Sequence, residues 1–130
     1  NASLFGWMLI ENGYSATTNL DQEVTPSLLS SYDVFVLFFP MVALSSSEIS
    51  AIASFVENGG GVLLVGTQRE INWGFDSSRL NPISEEYGVT FNNDVIEGDT
   101  DSLESHPINT DVSQIDLQND AFGSCSLEVT

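Results

Sequence analysis

A group of polar side chains directly follows a run of strand-forming residues. The run 62–65 predicts a buried strand, and Thr67, Gln68 and Arg69 come just after its end. Open sheets of parallel strands bind ligands at the carboxyl ends of their strands. These three residues, with Trp73 as a pocket wall, are therefore candidate ligand-binding residues for a small molecule or a glycan. The alternative is a structural turn in which Arg69 pairs with a nearby acid.

A second candidate site is an acidic segment in the later part of the chain. Hard oxygen ligands on a flexible loop suit Ca²⁺, although the segment lacks the central glycine and ligand spacing of an EF-hand. The alternative is a solvated acidic loop. We expect no required cofactor, with Ca²⁺ as the one candidate. Its five candidate metal ligands are Asp94, Glu97, Asp99, Asp101 and Glu104.

The single histidine and the single cysteine limit the available chemistry. His106 is a candidate ligand-binding residue that can act as a general base, or it can bond backbone groups and fix the turn before Pro107. Because Cys125 is the single cysteine of the sequence, an internal disulfide and a cysteine-based zinc site are excluded. Its neighbours favour a strand in which the thiol is a small buried apolar group.

The elements that must position these residues begin with a helix. Residues 4–11 are apolar nearly all round and end before Gly13, which predicts a buried helix with a left-handed glycine cap. Its stripe of Leu4, Trp7 and Met8 is expected to lie in the core. A short strand is predicted over 14–18.

A strand–helix–strand unit follows. Residues 33–39 form an unbroken apolar run before Pro40, typical of a strand covered on both faces. Ser45 and Glu48 have the spacing of a capping box, and apolar residues then recur at helical spacing. Tight connections to the strand at 62–65 predict a parallel pair. Further along, we expect a brief helix at 25–29, a helix at 81–87 closed by Gly88, and short strands at 89–91, 95–96, 115–117 and 124–129.

The charge balance excludes several classes of partner. The 130 residues carry a formal net charge of −17, with two arginines and no lysine. So few cations cannot neutralise a nucleic-acid backbone, and they disfavour anionic membranes. No apolar run is long enough for membrane insertion. Charged residues are only 16% of the chain, so the composition favours an extracellular or cell-surface protein over an intracellular halophilic one.

Several segments together resemble the class I glutamine amidotransferase-like superfamily. The strings are GY, L-x-x-YDVFVL-x-x-P, LS-x-x-EI-x-x-I-x-x-FV-x-x-GGGVLLVG, LNPISEEYGVTF and HPINTDV. They are most similar to its non-catalytic branch, the domain of gliding-motility and intraflagellar-transport proteins and related surface proteins. The resemblance spans roughly residues 4–112 and implies an α/β, flavodoxin-like three-layer sandwich with a mostly parallel sheet.

This chain departs from the pattern of the superfamily in two places. The family begins with a buried strand before the first helix, so residues 1–130 are expected to be a single, N-terminally incomplete domain of a larger protein. That strand would lie upstream or come from another chain. Catalytic members carry a cysteine nucleophile at the position that falls at about Thr67. Threonine is a poor nucleophile without an adjacent base, which argues against amidotransferase or cysteine-peptidase activity.

Together these patterns predict a non-catalytic protein-interaction or ligand-binding module of a larger exported or surface protein. Its partners would be other domains of the parent protein or a separate protein. One alternative is an accessory domain or degenerate site of an exported hydrolase such as a peptidase. The other is a calcium-stabilised structural domain.

Overall fold

The computed structural model describes residues 2–67, 76–96, 98–100, 110, 113, 115–117 and 124–130 of the chain. Four α-helices, six short strands and two 3₁₀ turns lie within these ranges. The helices are α1 (Ala2–Glu11), α2 (Pro26–Leu29), α3 (Ser46–Glu57) and α4 (Asn81–Ser84). The strands are β1 (Val34–Phe38), β2 (Gly61–Val65), β3 (Val89–Phe91), β4 (Gly98–Thr100), β5 (Ile115–Leu117) and β6 (Leu127–Val129). The 3₁₀ turns are Ser77–Leu80 and Glu85–Tyr87.

The β1–α3–β2 unit confirms the predicted parallel pair. β1 and β2 are parallel, with Val34 opposite Gly61 and Phe38 opposite Val65. The predicted capping box begins α3: the Ser45 hydroxyl accepts from the Glu48 amide, and the Glu48 carboxylate accepts from the Ser45 amide at 2.9 Å. This reciprocal pair satisfies backbone donors that the first turn of a helix leaves free.

The core lies between the helices and one face of the β1–β2 pair. Ile52 of α3 is completely buried, and Leu29 of α2 and Ile83 of α4 are almost so. Phe35 and Leu37 of β1 pack against this cluster. Alternation along a strand sends these side chains to the helix side and their neighbours to the opposite face.

The opposite face of the sheet is only partly covered, so the expectation of strands covered on both faces is wrong. The Phe5 ring of α1 packs edge-on against the Phe38 ring at 5.5 Å between centroids, which places α1 on this side. Yet Val34 is 58% exposed and Leu63 is 43% exposed. Covering both strands takes more apolar surface than α1 supplies here.

Helix α1 itself corrects a second expectation. The helix and the left-handed Gly13 (φ 86°) that follows it are confirmed. The predicted burial of the helix is wrong, since its predicted core residues are more than half exposed. The exposed fractions are 52–56% for Leu4, Trp7 and Met8. The predicted strand at 14–18 is also absent, because these residues form no ladder. A sequence that is apolar on every side of a helix predicts the helix. Burial of that helix also requires neighbouring elements that cover it, and the sequence of the helix does not show whether these are present.

The C-terminal half contains antiparallel pairs. β3 pairs with β6, and β4 pairs with β5. The helix predicted at 81–87 is confirmed as α4 followed by a 3₁₀ turn, and Gly88 ends it at φ 73°. The strand predicted at 124–129 is confirmed over its second half as β6, while its first half and the strand predicted at 95–96 form one isolated bridge between Ile96 and Ser124.

Cys125 lies between that bridge and β6. Its thiol is free and half-buried, rather than buried within a strand as predicted. The fold class is thus mixed helix and strand, with a parallel pair and antiparallel pairs. Within the described ranges, no helix combines the length and apolar character that a membrane crossing requires.

Candidate functional site

Thr67, the first residue of the candidate site at the carboxyl end of β2, is held by contacts of its backbone. Thr67 lies two residues beyond the strand, as predicted, but only 5% of it is exposed. The Thr67 amide donates to the Ser77 hydroxyl at 2.7 Å, and the same hydroxyl donates to the Thr67 carbonyl. Ser77 is itself buried. The hydroxyl therefore anchors both backbone polar groups of Thr67.

Close packing around Gly66 tightens the same turn. A Cβ atom at this position would lie 2.7 Å from the Ser77 hydroxyl and 2.8 Å from the Phe91 ring. A side chain at Gly66 would therefore displace the segments that carry Ser77 and Phe91. The glycine lets the backbone after β2 approach β3 directly, at a position where a side chain would not fit.

The segment after β1 lies at the same edge of the sheet and is also fixed. The Phe39 amide donates to the Val65 carbonyl at 3.1 Å, and Phe39 has a positive φ of 41°. The Arg79 guanidinium donates to the Pro40 carbonyl at 3.0 Å. One of the two cationic side chains thus holds the backbone next to the expected ligand site.

The acidic segment has a structural contact at its start. The exposed Asp94 carboxylate accepts from the Ser126 amide at 2.8 Å and from its hydroxyl at 2.6 Å. The Ser126 hydroxyl and then its amide lower the pKa of Asp94. Asn92 also donates to the Ser126 hydroxyl, at 2.8 Å. Together these bonds fasten the chain after β3 to the chain before β6.

The other predicted site residues are only partly placed. The backbone of Asp99 lies in β4, opposite Asp116 of β5. Within the described part of the chain, no three His, Cys, Asp or Glu side chains gather closely enough to hold a metal ion. The ligand sets and the absence of a required cofactor stay predictions. Outside the described residues lie Gln68, Arg69, Trp73, Glu97, Asp101, Glu104 and His106.

Two shallow grooves lie away from the Thr67 turn. They have volumes of about 250 and 220 Å³ and share Ser30, Phe55 and Asn58 as lining residues. These residues lie near the ends of α2 and α3 and beside the glycine turn before β2. The Phe55 ring is so near Gly60 that a Cβ there would lie 2.4 Å from it.

The sequence of this chain matches that of a known protein family. The sequence profile of the IFT52 GIFT domain matches residues 10–119, which is most of the chain. The chain belongs to the IFT52 GIFT domain family. No curated protein matches the sequence of this GIFT domain.

A solved structure supports the fold of the GIFT domain. It is titled "mmIFT52 N-terminal domain" and superposes with a TM-score of 0.72 at 17% sequence identity. The match covers 98% of this chain and 64% of that chain. The two share a fold over nearly all of the GIFT domain, which spans somewhat less than two thirds of the related structure.

The family corrects four expectations. A module of an exported or surface protein, an accessory domain of an exported hydrolase and a calcium-stabilised structural domain are all wrong, and so is the extracellular location. The family is that of an intraflagellar transport protein, and a protein partner is consistent with it. The error has a physical source: a shortage of lysine describes how a surface interacts with ions and polymers, and it does not specify a compartment.

Sequence reasoning also missed residues that shape the site. Ser77 is ten positions from Thr67, and nothing in the local pattern predicts that its hydroxyl binds the Thr67 backbone. The only usable signal was Asp76, whose carboxylate caps the 3₁₀ turn that carries Ser77 and Arg79. A capping residue at Asp76 predicts that a turn begins there. It does not predict that the turn packs against the segment after β2.

Proposed function

We propose that this GIFT domain is a protein-binding component of an intraflagellar transport complex, with a cytoplasmic or ciliary location. The family match over residues 10–119 carries the proposal. The mostly exposed apolar side chains of α1 support it, because contiguous apolar surface on a soluble domain commonly marks a protein contact.

We further propose that the domain works by binding rather than catalysis. Thr67, at the position where catalytic relatives of the amidotransferase-like superfamily carry cysteine, is 5% exposed and has both backbone groups bound by Ser77. A nucleophile must reach its substrate and a base. Burial of the Thr67 side chain limits the access of a substrate to it.

The relation to that superfamily and the three-layer sandwich belong to the same proposal. One layer consists of α2 and α3 on the core face of β1 and β2. The contact between Phe5 and Phe38 puts α1 on the other face. This order of helix, sheet and helix supports a flavodoxin-like arrangement of layers.

The test of location and assembly uses the whole chain fused to a fluorescent protein in ciliated cells. We expect the fusion to be enriched in cilia over the fluorescent protein alone, and intraflagellar transport subunits to co-purify with it. Ile52→Asp, which places a charge in the core, is the unfolded control and should lose both properties. A wild-type fusion excluded from cilia that captures no such subunit would contradict the proposal.

A second test addresses catalysis. The purified chain is incubated with glutamine and with simple amide and ester substrates, and ammonia or alcohol release is measured. We expect no release above that of a Thr67→Ala variant. Turnover by the wild type that Thr67→Ala abolishes would show that the buried threonine reacts and would overturn the binding-only function.

A further inference from the structure

Two loops carry apolar side chains that are among the most exposed of the described residues. Leu20, in the loop before α2, is 84% exposed, and Val42, in the loop between β1 and α3, is 77% exposed. Both lie outside the strand ladder, which ends at Phe38 of β1. A further strand beside β1 would follow that ladder and stop short of Val42. The exposure of these side chains is therefore a property of the loops and not of a sheet edge.

The turn that carries Leu20 has a fixed backbone. The Asn19 side chain accepts from the Gln22 amide at 2.9 Å and donates to the Gln22 carbonyl at 2.8 Å. These two bonds close the turn around Leu20. An apolar side chain on an ordered turn loses less conformational entropy when a partner covers it, because the backbone is already fixed.

The loop that carries Val42 is also held by the rest of the chain. The Arg79 guanidinium donates to the Pro40 carbonyl at 3.0 Å near the start of the loop, and the Ser45 cap begins α3 at its end. Met41, which precedes Val42, is 55% exposed. This loop thus presents two neighbouring apolar side chains between two fixed points.

Two hydrogen bonds join the segment after Leu20 to the start of α3, where the second loop ends. The Ser47 hydroxyl donates to the Glu23 carboxylate at 3.0 Å, and the Val24 amide donates to the Glu48 carboxylate at 3.1 Å. Leu20 lies just before this junction in the sequence, and a run of three residues spans at most about 11 Å. The two loops are therefore close enough for one interface of about 800 Å² per partner to contact both.

The charges beside the loops select the occupant. Asp21 and Glu23 are exposed on the segment that carries Leu20. Among the described residues, the one lysine or arginine side chain is Arg79, which donates to the backbone of the second loop. Carboxylates beside apolar side chains favour a partner with lysine or arginine around an apolar patch. A second copy of this chain, with its net charge of −17, would be repelled.

We propose that Leu20, Met41 and Val42 form a loop-tip surface that binds an apolar patch with a basic rim on a partner protein. Apolar side chains at the centre and charges at the rim are the usual arrangement of a protein interface. The inference rests on the proposed protein-binding function and adds the surface and the chemistry of the partner. Its test uses a defined peptide, so that it and the cellular test can fail separately.

The probe is an amphipathic helical peptide of about 18 residues, with leucines along one face and lysines along the other. We expect saturable one-to-one binding to the whole chain by calorimetry. A peptide with glutamates in place of the lysines keeps the apolar face, and its affinity should be lower by about tenfold or more. Added salt should weaken binding of the lysine peptide, because it screens exposed charges.

Matched variants of the chain locate the contact. Val42→Ser and Val129→Ser make the same change at two valines that are equally exposed, at 77%, and Val129 lies in β6. Val42→Ser and Leu20→Ser should each lower the affinity by about tenfold, because each removes apolar surface that the peptide would bury. Val129→Ser should leave the affinity unchanged. Since all three positions are exposed, the melting temperatures should stay near that of the wild type.

The role of the acidic residues is tested with a second pair of variants. Asp21→Asn removes a charge next to Leu20, and Glu86→Gln removes an exposed charge from the 3₁₀ turn after α4. Asp21→Asn should weaken binding of the lysine peptide more than Glu86→Gln does, and the difference should shrink as the salt concentration rises.

Several results would overturn the proposal. They are the absence of saturable binding, equal affinity for the lysine and glutamate peptides, and equal affinity of Val42→Ser and Val129→Ser. A loss of affinity in Trp7→Ser but not in Val42→Ser would place the peptide on α1 and would also refute it. Self-association of the chain that Leu20→Ser abolishes would show that a second copy occupies the surface. Peptide binding that depends on Val42, in a chain that captures no intraflagellar transport subunit, would uphold the loop-tip surface and contradict only the proposed function.

Discussion

The Glu48 carboxylate joins the start of α3 to the segment before α2, and its removal should cost more than the loss of one surface charge. Its oxygens accept from the Ser45 amide and hydroxyl, each at 2.9 Å, and from the Val24 amide at 3.1 Å. Val24 is 7% exposed, so its amide lies in a buried part of the chain. In Glu48→Gln, an NH₂ group replaces one of the two carboxylate oxygens. This group donates and would face a backbone amide that also donates, so one hydrogen bond is lost.

The magnitude follows from these bonds. Loss of a capping interaction costs about 1 kcal/mol, and a buried amide left without its acceptor costs about 1–3 kcal/mol. Glu48 is only half-buried, so water offsets part of both costs. We expect Glu48→Gln to lower the free energy of unfolding by about 1–2 kcal/mol at neutral pH. For a chain of this length, the melting temperature should fall by about 3–8 °C.

The pH dependence separates this effect from a general change in packing. The amides of Ser45 and then Val24 lower the pKa of Glu48 below its ordinary value of 4.5. A depressed pKa in the folded state means that the ionised carboxylate stabilises the fold at neutral pH. That stabilisation is lost as the pH falls below about 4.5 and through the folded-state pKa. The difference between wild type and Glu48→Gln should therefore narrow toward pH 3.

The assay is thermal unfolding followed by circular dichroism at pH 7, 5 and 3. Glu86→Gln is the matched control, because it makes the same chemical change at an exposed position in a 3₁₀ turn. Equal destabilisation by the two substitutions, or a Glu48→Gln deficit that persists in full at pH 3, would refute the reasoning.

Three further predictions concern packing and backbone geometry. Ile52→Ala should lower the free energy of unfolding by about 2–5 kcal/mol in urea, and Ile52→Val by about 0.5–1.5 kcal/mol, because the side chain is fully buried; equal costs would contradict this. Gly88→Ala should cost about 1–3 kcal/mol, since φ is 73° and the new Cβ would lie 2.7 Å from the Thr130 carbonyl; an unchanged melting temperature would contradict it. Ser77→Ala should cost about 1–3 kcal/mol and speed hydrogen exchange at the Thr67 amide; unchanged exchange would exclude the bridging role of Ser77.

Local rules explain which parts of the fold could be predicted from the sequence. The capping box needs only Ser45 and Glu48 at a fixed spacing, and its geometry was predicted correctly. The left-handed turn at Gly88 likewise depends on one residue beyond a short helix. The parallel pair followed from two apolar runs that flank one amphipathic helix. In each case the determinants lie within about one element of each other.

The failures involve surfaces that local sequence does not describe. The apolar residues of α1 predicted a helix correctly, but Trp7 is 56% exposed because burial requires a partner surface. The contact between Asp94 and Ser126 spans 32 positions. The sequence marked Asp94 as an acid in a candidate metal site. It gave no sign that a serine near the C-terminus would provide a backbone amide and a hydroxyl to bind it.

The two edges of the β1–β2 pair differ in a way that bears on function. At the carboxyl edge, Ser77 binds the Thr67 backbone and Arg79 binds the Pro40 carbonyl, so these backbone groups already have protein partners. At the lateral edge, alternate backbone groups of β1 face away from β2, and Val34 is mostly exposed. Among the described residues, β2 is the strand that pairs with β1. The contacts that hold Thr67 and Pro40 support the proposal of binding over catalysis, because a substrate at this edge would have to displace them.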